Sequence, residues 1–234
     1  FLSIAPKGFS QFKLALPTWI KEKFFLKLLL IKELKNFEKN FSSEKLLFTE
    51  HHMSHLASAF YPSPFKNAII LSLDGVGEWA TTSIAIGDEN RIKILKELHY
   101  PHSLGLLYSA FTQYLGFKVN SGEYKVMGLA PYGEPKFFKL ICDNLVDIKE
   151  DGSFKLNMKY FNYLTGLTMV NKNFENLFGN KTREYDSENL SEFHMDVAAS
   201  IQKVIEFIVL KITDHVSNIY RIENLCLSGG VALN

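Results

Sequence analysis

Seven consecutive residues, Asn67 to Leu73 (NAIILSL), make an almost unbroken apolar run that stops at Asp74-Gly75-Val76-Gly77. A short run of this kind reads as a strand buried on both faces, since a strand with one wet face alternates polar and apolar residues. The sheet it belongs to must therefore be covered on two sides. Thr81 to Ile86 and Arg91 to Leu98 alternate in strand fashion around the turn signal Gly87-Asp88-Glu89-Asn90, so the three segments predict an antiparallel meander.

Helical periodicity accounts for much of the rest. Leu16, Trp19, Ile20, Phe24, Leu28, Ile31 and Leu34 recur at helical spacing with lysines between them, predicting an amphipathic helix from Leu16 to Phe37. Lys45 to Thr49 is a short strand candidate, and His51 to Phe60 suits a helix ended by Pro62-Ser63-Pro64. Ser103 to Leu115 and Ser191 to about Tyr220 are helical, and Leu225 to Leu227 is a short buried strand running into Ser228-Gly229-Gly230. Val119 to Gly122 reads as a loop. Residues 151–187, aromatic and rich in Asn, read as a loop-rich insertion. Strands alternating with helices, with glycine turns at the strand ends, predict an α/β fold with a mixed sheet flanked by helices.

Composition narrows the function classes. With 47% hydrophobic and 22% charged residues among 234, the chain can bury a sizeable core, and a net charge of +1 with mixed Lys and Glu offers no basic face for nucleic acid. Cys142 and Cys226 are too few for a disulfide framework or a zinc ribbon, so a reducing cytoplasm fits. The run Phe24 to Ile31 is interrupted by Lys27 and far shorter than the roughly 20 residues of a membrane span. No signal peptide is visible. The chain begins at Phe1 rather than Met and stops at Asn234, directly after a glycine pair that normally leads into a helix, so a fragment cut at both ends is expected.

The densest chemistry lies in His51-His52-Met53-Ser54-His55. Residues at i and i+4 of a helix share a face with Cβ atoms about 5–6 Å apart, so His51 and His55 can present two imidazoles to one metal ion while His52 points elsewhere. A polar helix face with solvated histidines is the plain alternative. Asp74, at the end of a buried strand, needs a cation or several donors and can supply a third ligand, or it can simply form an Asp-Gly turn. Two His and one carboxylate suit iron or another divalent metal. Gly75, Gly77 and Glu78 resemble the glycine-bearing hairpin with which actin-like ATPases hold phosphates. Ser228, Gly229, Gly230 and Asn234 form a turn that can pack under a nucleotide or merely start a helix. Lys125 can meet a phosphate oxygen with Glu123 orienting it, unless the two are a surface ion pair. Asp196 is a candidate general base for a hydroxyl acceptor and equally a first-turn carboxylate favoured by the helix dipole.

Taken in order, Glu50-His51-His52-Met53-Ser54-His55 with Ser58-Ala59-Phe60-Tyr61, then Ser72 to Trp79, then Gly122 to Gly133, then Leu227 to Asn234, resemble the O-carbamoyltransferases of the nodulation-protein and antibiotic-tailoring family. The resemblance spans roughly Lys45 to Asn234. It implies an actin-like ATPase (ribonuclease H-like) fold, similar to the tRNA threonylcarbamoyl transferases, with a divalent metal, commonly iron, held by His51, His55 and Asp74 as three of four ligands. The fourth, an Asp in a Gly-Asp segment beyond the glycine pair, has no counterpart. A YrdC-like domain that makes carbamoyl adenylate from ATP and carbamoyl phosphate is also absent from residues 1–234, as is a first strand and hairpin before Phe1.

The activity implied is transfer of a carbamoyl group from carbamoyl adenylate to a hydroxyl of a sugar or natural product, with a homodimer allowed and neither nucleic acid nor membrane as partner. Two other enzyme classes fit the sequence less well. A threonylcarbamoyl transferase acting on tRNA lacks its basic stripe here, and a sugar-kinase-like phosphotransferase has no use for His51 and His55. The remaining alternative is an inactive or partner-dependent fragment that only binds metal or nucleotide.

Overall fold

A computed structural model describes residues 5–185 and 187–234. Phe1 and Asp186, the latter inside the stretch read as loop-rich, lie outside the described residues. The chain divides into two units, one reaching to Thr49 and including Asn162–Thr168, the other comprising Glu50–Phe161 and Met169–Asn234.

In the first unit the single long helix expected from the periodicity is broken. Helix α1 (Phe9–Thr18) passes into a π-helical turn at Trp19–Lys23, and α2 (Leu26–Phe37) follows. Pro17 lies inside α1, where it has no N–H to donate, and one residue beyond Thr18 the bonding slips to the wider pattern in which the Phe24 amide donates to Trp19 O. The Gln11 side-chain amide ties α1 to the carbonyls of Tyr163 and Gly166. The strand expected at Lys45 to Thr49 is not one. Ser43–Lys45 is a 3₁₀ turn, and the residues after it join no ladder among the described residues.

The second unit is built on the predicted meander. β1 (Asn67–Leu73), β2 (Ala80–Asp88) and β3 (Arg91–His99) pair antiparallel, and β6 (Leu225–Ser228) lies parallel to β1, giving the order β3-β2-β1-β6. The strands run further than expected, leaving Glu89 and Asn90 as the turn, with Glu89 at φ 50°. All of β1 after Asn67 is buried. Alternation sends Ala68 and Ile70 to one face, where with Ala85 and Cys226 they pack on Leu56 and Phe60 of α3 (His51–Phe60). On the other face Thr82 and Ile84 share a cleft with Ile212 and Val216 of α8 (Glu192–Tyr220). The sheet is thus mixed and flanked by helices.

Helix α8 shows why its pattern was readable. Val197, Ile201, Val204, Ile205, Ile208, Ile212 and Val216 are buried at three- and four-residue steps. Its start carries a capping box, with the Ser191 amide donating to His194 Nδ1 and the Ser191 hydroxyl accepting from the backbone. The short elements were not foreseen: α5 (Glu123–Leu129), α6 (Phe138–Asn144), the hairpin β4 (Val146–Ile148) with β5 (Phe154–Leu156), and α7 (Lys172–Phe178). Residues 151–187 therefore hold a strand and a helix besides loops. Among the described residues no helix is long and apolar enough to cross a membrane.

Helix α7 carries Phe174 and Phe178 against Phe111 and Tyr114 of α4 (Leu104–Tyr114), with ring centroids 5.0 to 5.7 Å apart. Phe174 is fully buried. Phe174→Ala should lower the unfolding free energy by about 3–5 kcal/mol in urea titrations, the usual cost of deleting a buried ring. A change below about 1 kcal/mol, the range of surface substitutions, would mean that this segment is not part of the core.

Candidate functional site

The first turn of α3 meets the end of β1. The α3 N-terminus has no side-chain cap from Glu50; the His51 amide instead donates to both oxygens of Glu78, at 3.3 and 3.2 Å. Glu78, expected near phosphate, therefore acts as a carboxylate at a helix N-terminus, where the dipole favours it. Gly77 has an equally local reason. A Cβ there would lie 2.8 Å from His52 Cδ2 and 3.3 Å from His51 Cδ2, so only glycine lets the turn close on the two rings.

His51, His55 and Asp74 converge. His51 Nε2 is 2.8 Å from Asp74 Oδ2 and 3.0 Å from His55 Nε2, and His55 Nε2 is 3.4 Å from the same oxygen. One hydrogen placed among three lone-pair atoms satisfies one of these contacts; a divalent cation among them satisfies all three. Imidazole and carboxylate ligands lie about 2.0–2.2 Å from such an ion, which puts neighbouring donors about 3.0 Å apart at right angles and about 3.4 Å apart in a tetrahedron. Separations of 3.0 and 3.4 Å fall in that range, and 2.8 Å is the right-angle spacing for the shortest bonds, so the donor set fits a cation. Asp74 is prepared for it: burial raises its pKa, but the amides of Gly75 and Gly230 and the rings of His51 and His55 more than offset this, leaving the carboxylate below its ordinary range. The Gly230 amide takes Oδ1 at 3.3 Å, so that Oδ2 faces the histidines.

Beside Asp74 opens a cavity of about 420 Å³ lined by Gly75, Gly105, Tyr108, Ser109, Asn120, Glu123, Gly230 and Asn234 among others. Asp74 belongs both to the donor triangle and to this lining. A Cβ on Gly75 would meet nothing within 4 Å, whereas one on Gly229, at φ 89°, would strike Leu73 O at 2.2 Å. Gly75 thus opens onto the cavity, and Gly229 lets the turn after β6 close on β1. Glu123 accepts from Ser109 Oγ at 2.8 Å and from the amides of Asn120 and Gly122, fixing the loop at the cavity rim. Asn234 Oδ1 accepts from Gln202 Nε2 at 2.7 Å.

Two expected catalytic residues are placed elsewhere. Lys125 Nζ sits 5.6 Å from the Phe117 ring centroid and does not line the cavity. Asp196 is buried on α8, its carboxylate accepting from the Glu134 amide at 2.8 Å and pairing with Lys136 at 2.8 Å, so it pins the loop before α6 rather than facing the cavity.

Other residues at the site were not foreseen. The Ser103 hydroxyl, which caps α4 by accepting from the Leu106 amide, donates to the carbonyls of Asp74 and Gly75. A serine just before an apolar helical run was the available signal. Beneath the histidine pair lies a polar row: register places Ser83, Ser72 and Ser228 side by side on the face toward α3. His52, almost fully buried, bonds Ser83 Oγ through Nδ1 at 2.7 Å, and Ser83 Oγ donates to Glu97 at 3.0 Å. Among the described residues His52 Nε2, Ser72 Oγ and Ser228 Oγ are buried without hydrogen-bond partners, each costing about 1–3 kcal/mol. Burial holds His52 below the ordinary histidine pKa.

Gly77→Ala should cost about 1–3 kcal/mol of stability, because the new methyl overpacks the imidazoles. Gly75→Ala, entering open space, should cost less than about 0.5 kcal/mol, as at ordinary surface sites. Denaturant unfolding compares the two, and equal losses would contradict the packing described.

The family model for the carbamoyltransferase N-terminus matches residues 1–234. An uncharacterized protein of Synechocystis sp. is 57% identical over 100% of this chain and 38% of its own length. The nodulation protein NolNO of Sinorhizobium fredii is 33% identical over 96% of this chain and 30% of its own length. The nodulation protein NolO of Bradyrhizobium diazoefficiens is 30% identical over 79% of this chain and 31% of its own length. The chain spans about a third of the length of these relatives. With a match that runs from the first residue to the last and the motifs of the site in their expected order, the chain belongs to the carbamoyltransferase N-terminal family.

Proposed function

We propose that this chain is the cation- and phosphate-holding part of an O-carbamoyltransferase that moves a carbamoyl group from carbamoyl adenylate to a hydroxyl of a sugar or natural product. The observation that carries the reading is the donor triangle of His51, His55 and Asp74 at the rim of a glycine-lined cavity, in a chain of the carbamoyltransferase family. In the reaction the acceptor hydroxyl loses its proton to water as its oxygen bonds to the carbamoyl carbon, the bond from that carbon to the phosphate oxygen breaks with its electron pair going to phosphate, and AMP leaves. A divalent cation on the triangle, with iron the first choice for two imidazoles and a carboxylate, supplies Lewis acidity toward a phosphate oxygen.

The chain's own residues do the positioning. Gly230 holds Asp74 so that one oxygen stays turned to the histidines. Gly75, with no Cβ, leaves its backbone open to the cavity, as a phosphate cradle requires. Glu123 orders the loop carrying Asn120 and Gly122, and of Glu123, Lys125 and Asp196 it alone lines the cavity. An actin-like fold is the architecture we assign, supported by the antiparallel meander continued by a parallel strand, with a glycine turn after β1 and another after β6. ATP and carbamoyl phosphate are the substrates upstream of the adenylate, and a cytoplasmic location suits them.

A second reading is favoured by one observation. The chain covers 30–38% of the relatives' lengths, so the isolated chain is expected to bind ligands while turning over little. Isothermal titration with Mn²⁺ and then AMP tests the binding. We expect AMP to bind at least about tenfold more weakly after Asp74→Asn or in EDTA, a loss of about 1.4 kcal/mol. AMP binding indifferent to both would remove the cation from the proposed site.

A further inference from the structure

His52 stands between two residues of the donor triangle in sequence but points away from them into the sheet. Its surroundings decide its tautomer. The Ser83 hydroxyl carries one proton and gives it to Glu97, an acceptor when ionised, at 3.0 Å. Ser83 can then only accept from His52 Nδ1 at 2.7 Å, so the ring carries a proton on Nδ1. The relay runs from Glu97 on β3 through Ser83 on β2 to the first turn of α3. Gly77 closes against the same ring and against His51, at 2.8 and 3.3 Å from the position its Cβ would take. The first helical turn is thereby held on one side by a hydrogen-bonded anchor and on the other by a glycine contact. Nothing in core packing calls for the anchor, since the residues one and two turns further along α3, Leu56 and Phe60, meet the same sheet face with apolar side chains.

We propose that His52 is the positioning residue of the histidine pair, locked by the Glu97–Ser83 relay so that His51 and His55 face Asp74 as one ligand set. The inference rests on the reading that the triangle holds a cation. Outer groups that orient metal-binding histidines usually act through the ligand's own ring; here the orienting group acts through the backbone of the turn that carries both ligands.

Two substitutions separate the ring atoms. Asn places its amide where Nδ1 was, and Gln places its amide where Nε2 was. Zn²⁺ affinity of the 234-residue chain, measured by competition with a chromogenic chelator, should stay within about threefold for His52→Asn and fall about 10- to 100-fold for His52→Gln and for Ser83→Ala, the range for lost outer-shell support. Melting curves accompany each variant, and Ser83→Ala, the smallest change, keeps the comparison available if a histidine variant does not fold. Zn²⁺ affinity within twofold of wild type in Ser83→Ala and His52→Gln, or equal loss in His52→Asn and His52→Gln, overturns the positioning role and leaves the cation site standing. Absence of Zn²⁺ binding by the wild-type chain overturns both.

Discussion

Everything at the site depends on where Asp74 ends up. It is the residue at which the buried strand β1 stops, and its two oxygens are divided between neighbours that come from opposite ends of the chain's second unit: the Gly230 amide on one and the α3 histidines on the other. A carboxylate at that depth pays a desolvation cost that only donors or a cation can offset. The fold brings donors to it by close approach. Gly229 meets the backbone of Leu73, Gly105 meets that of Asp74 and Gly75, and Ser103 donates to the carbonyls of both turn residues. Each of these contacts requires a missing or a very small side chain.

The same region sacrifices stability for polarity. Near the α3 C-terminus the sheet face is apolar and well packed, with Leu56, Phe60, Ala68, Ile70 and Ala85 fully or almost fully buried. One step along each strand toward Asp74 the residues become Ser72, Ser83 and Ser228. Apolar residues there would relieve the unpartnered hydroxyls and add buried surface. Of these groups His52 and Ser83 tie the first turn of α3 to the sheet through their hydrogen bond, whereas Ser72 and Ser228 make none among the described residues.

Much of the fold was legible because long elements carry their own period. Helix α8 buries a face at every third and fourth residue, and β1 is apolar throughout, so both could be read from residue order alone. Lys45 to Thr49 failed as a strand because strand character needs a partner, which sequence does not supply. Helices α5, α6 and α7 have seven residues each, too few for a period to emerge, and α7 is held by Phe174 and Phe178 packing on α4, a tertiary cause. At the site, His51 and His55 were legible through their four-residue spacing and Asp74 through its strand end. The assignments of Gly77, Glu78, Lys125 and Asp196 depended on what lies across from them in space. Gly77 meets rings, Glu78 meets a helix amide, Lys125 meets Phe117, and Asp196 meets Lys136. A glycine beside an acid looks the same in sequence whether it cradles a phosphate or a side chain.

The most direct test is anomalous X-ray diffraction from crystals of the chain grown with Co²⁺. One strong peak is expected about 2.0–2.3 Å from His51 Nε2, His55 Nε2 and Asp74 Oδ2, at ordinary coordination distance. A peak elsewhere, or histidine rings turned away from Asp74 with cobalt in the solution, would contradict it.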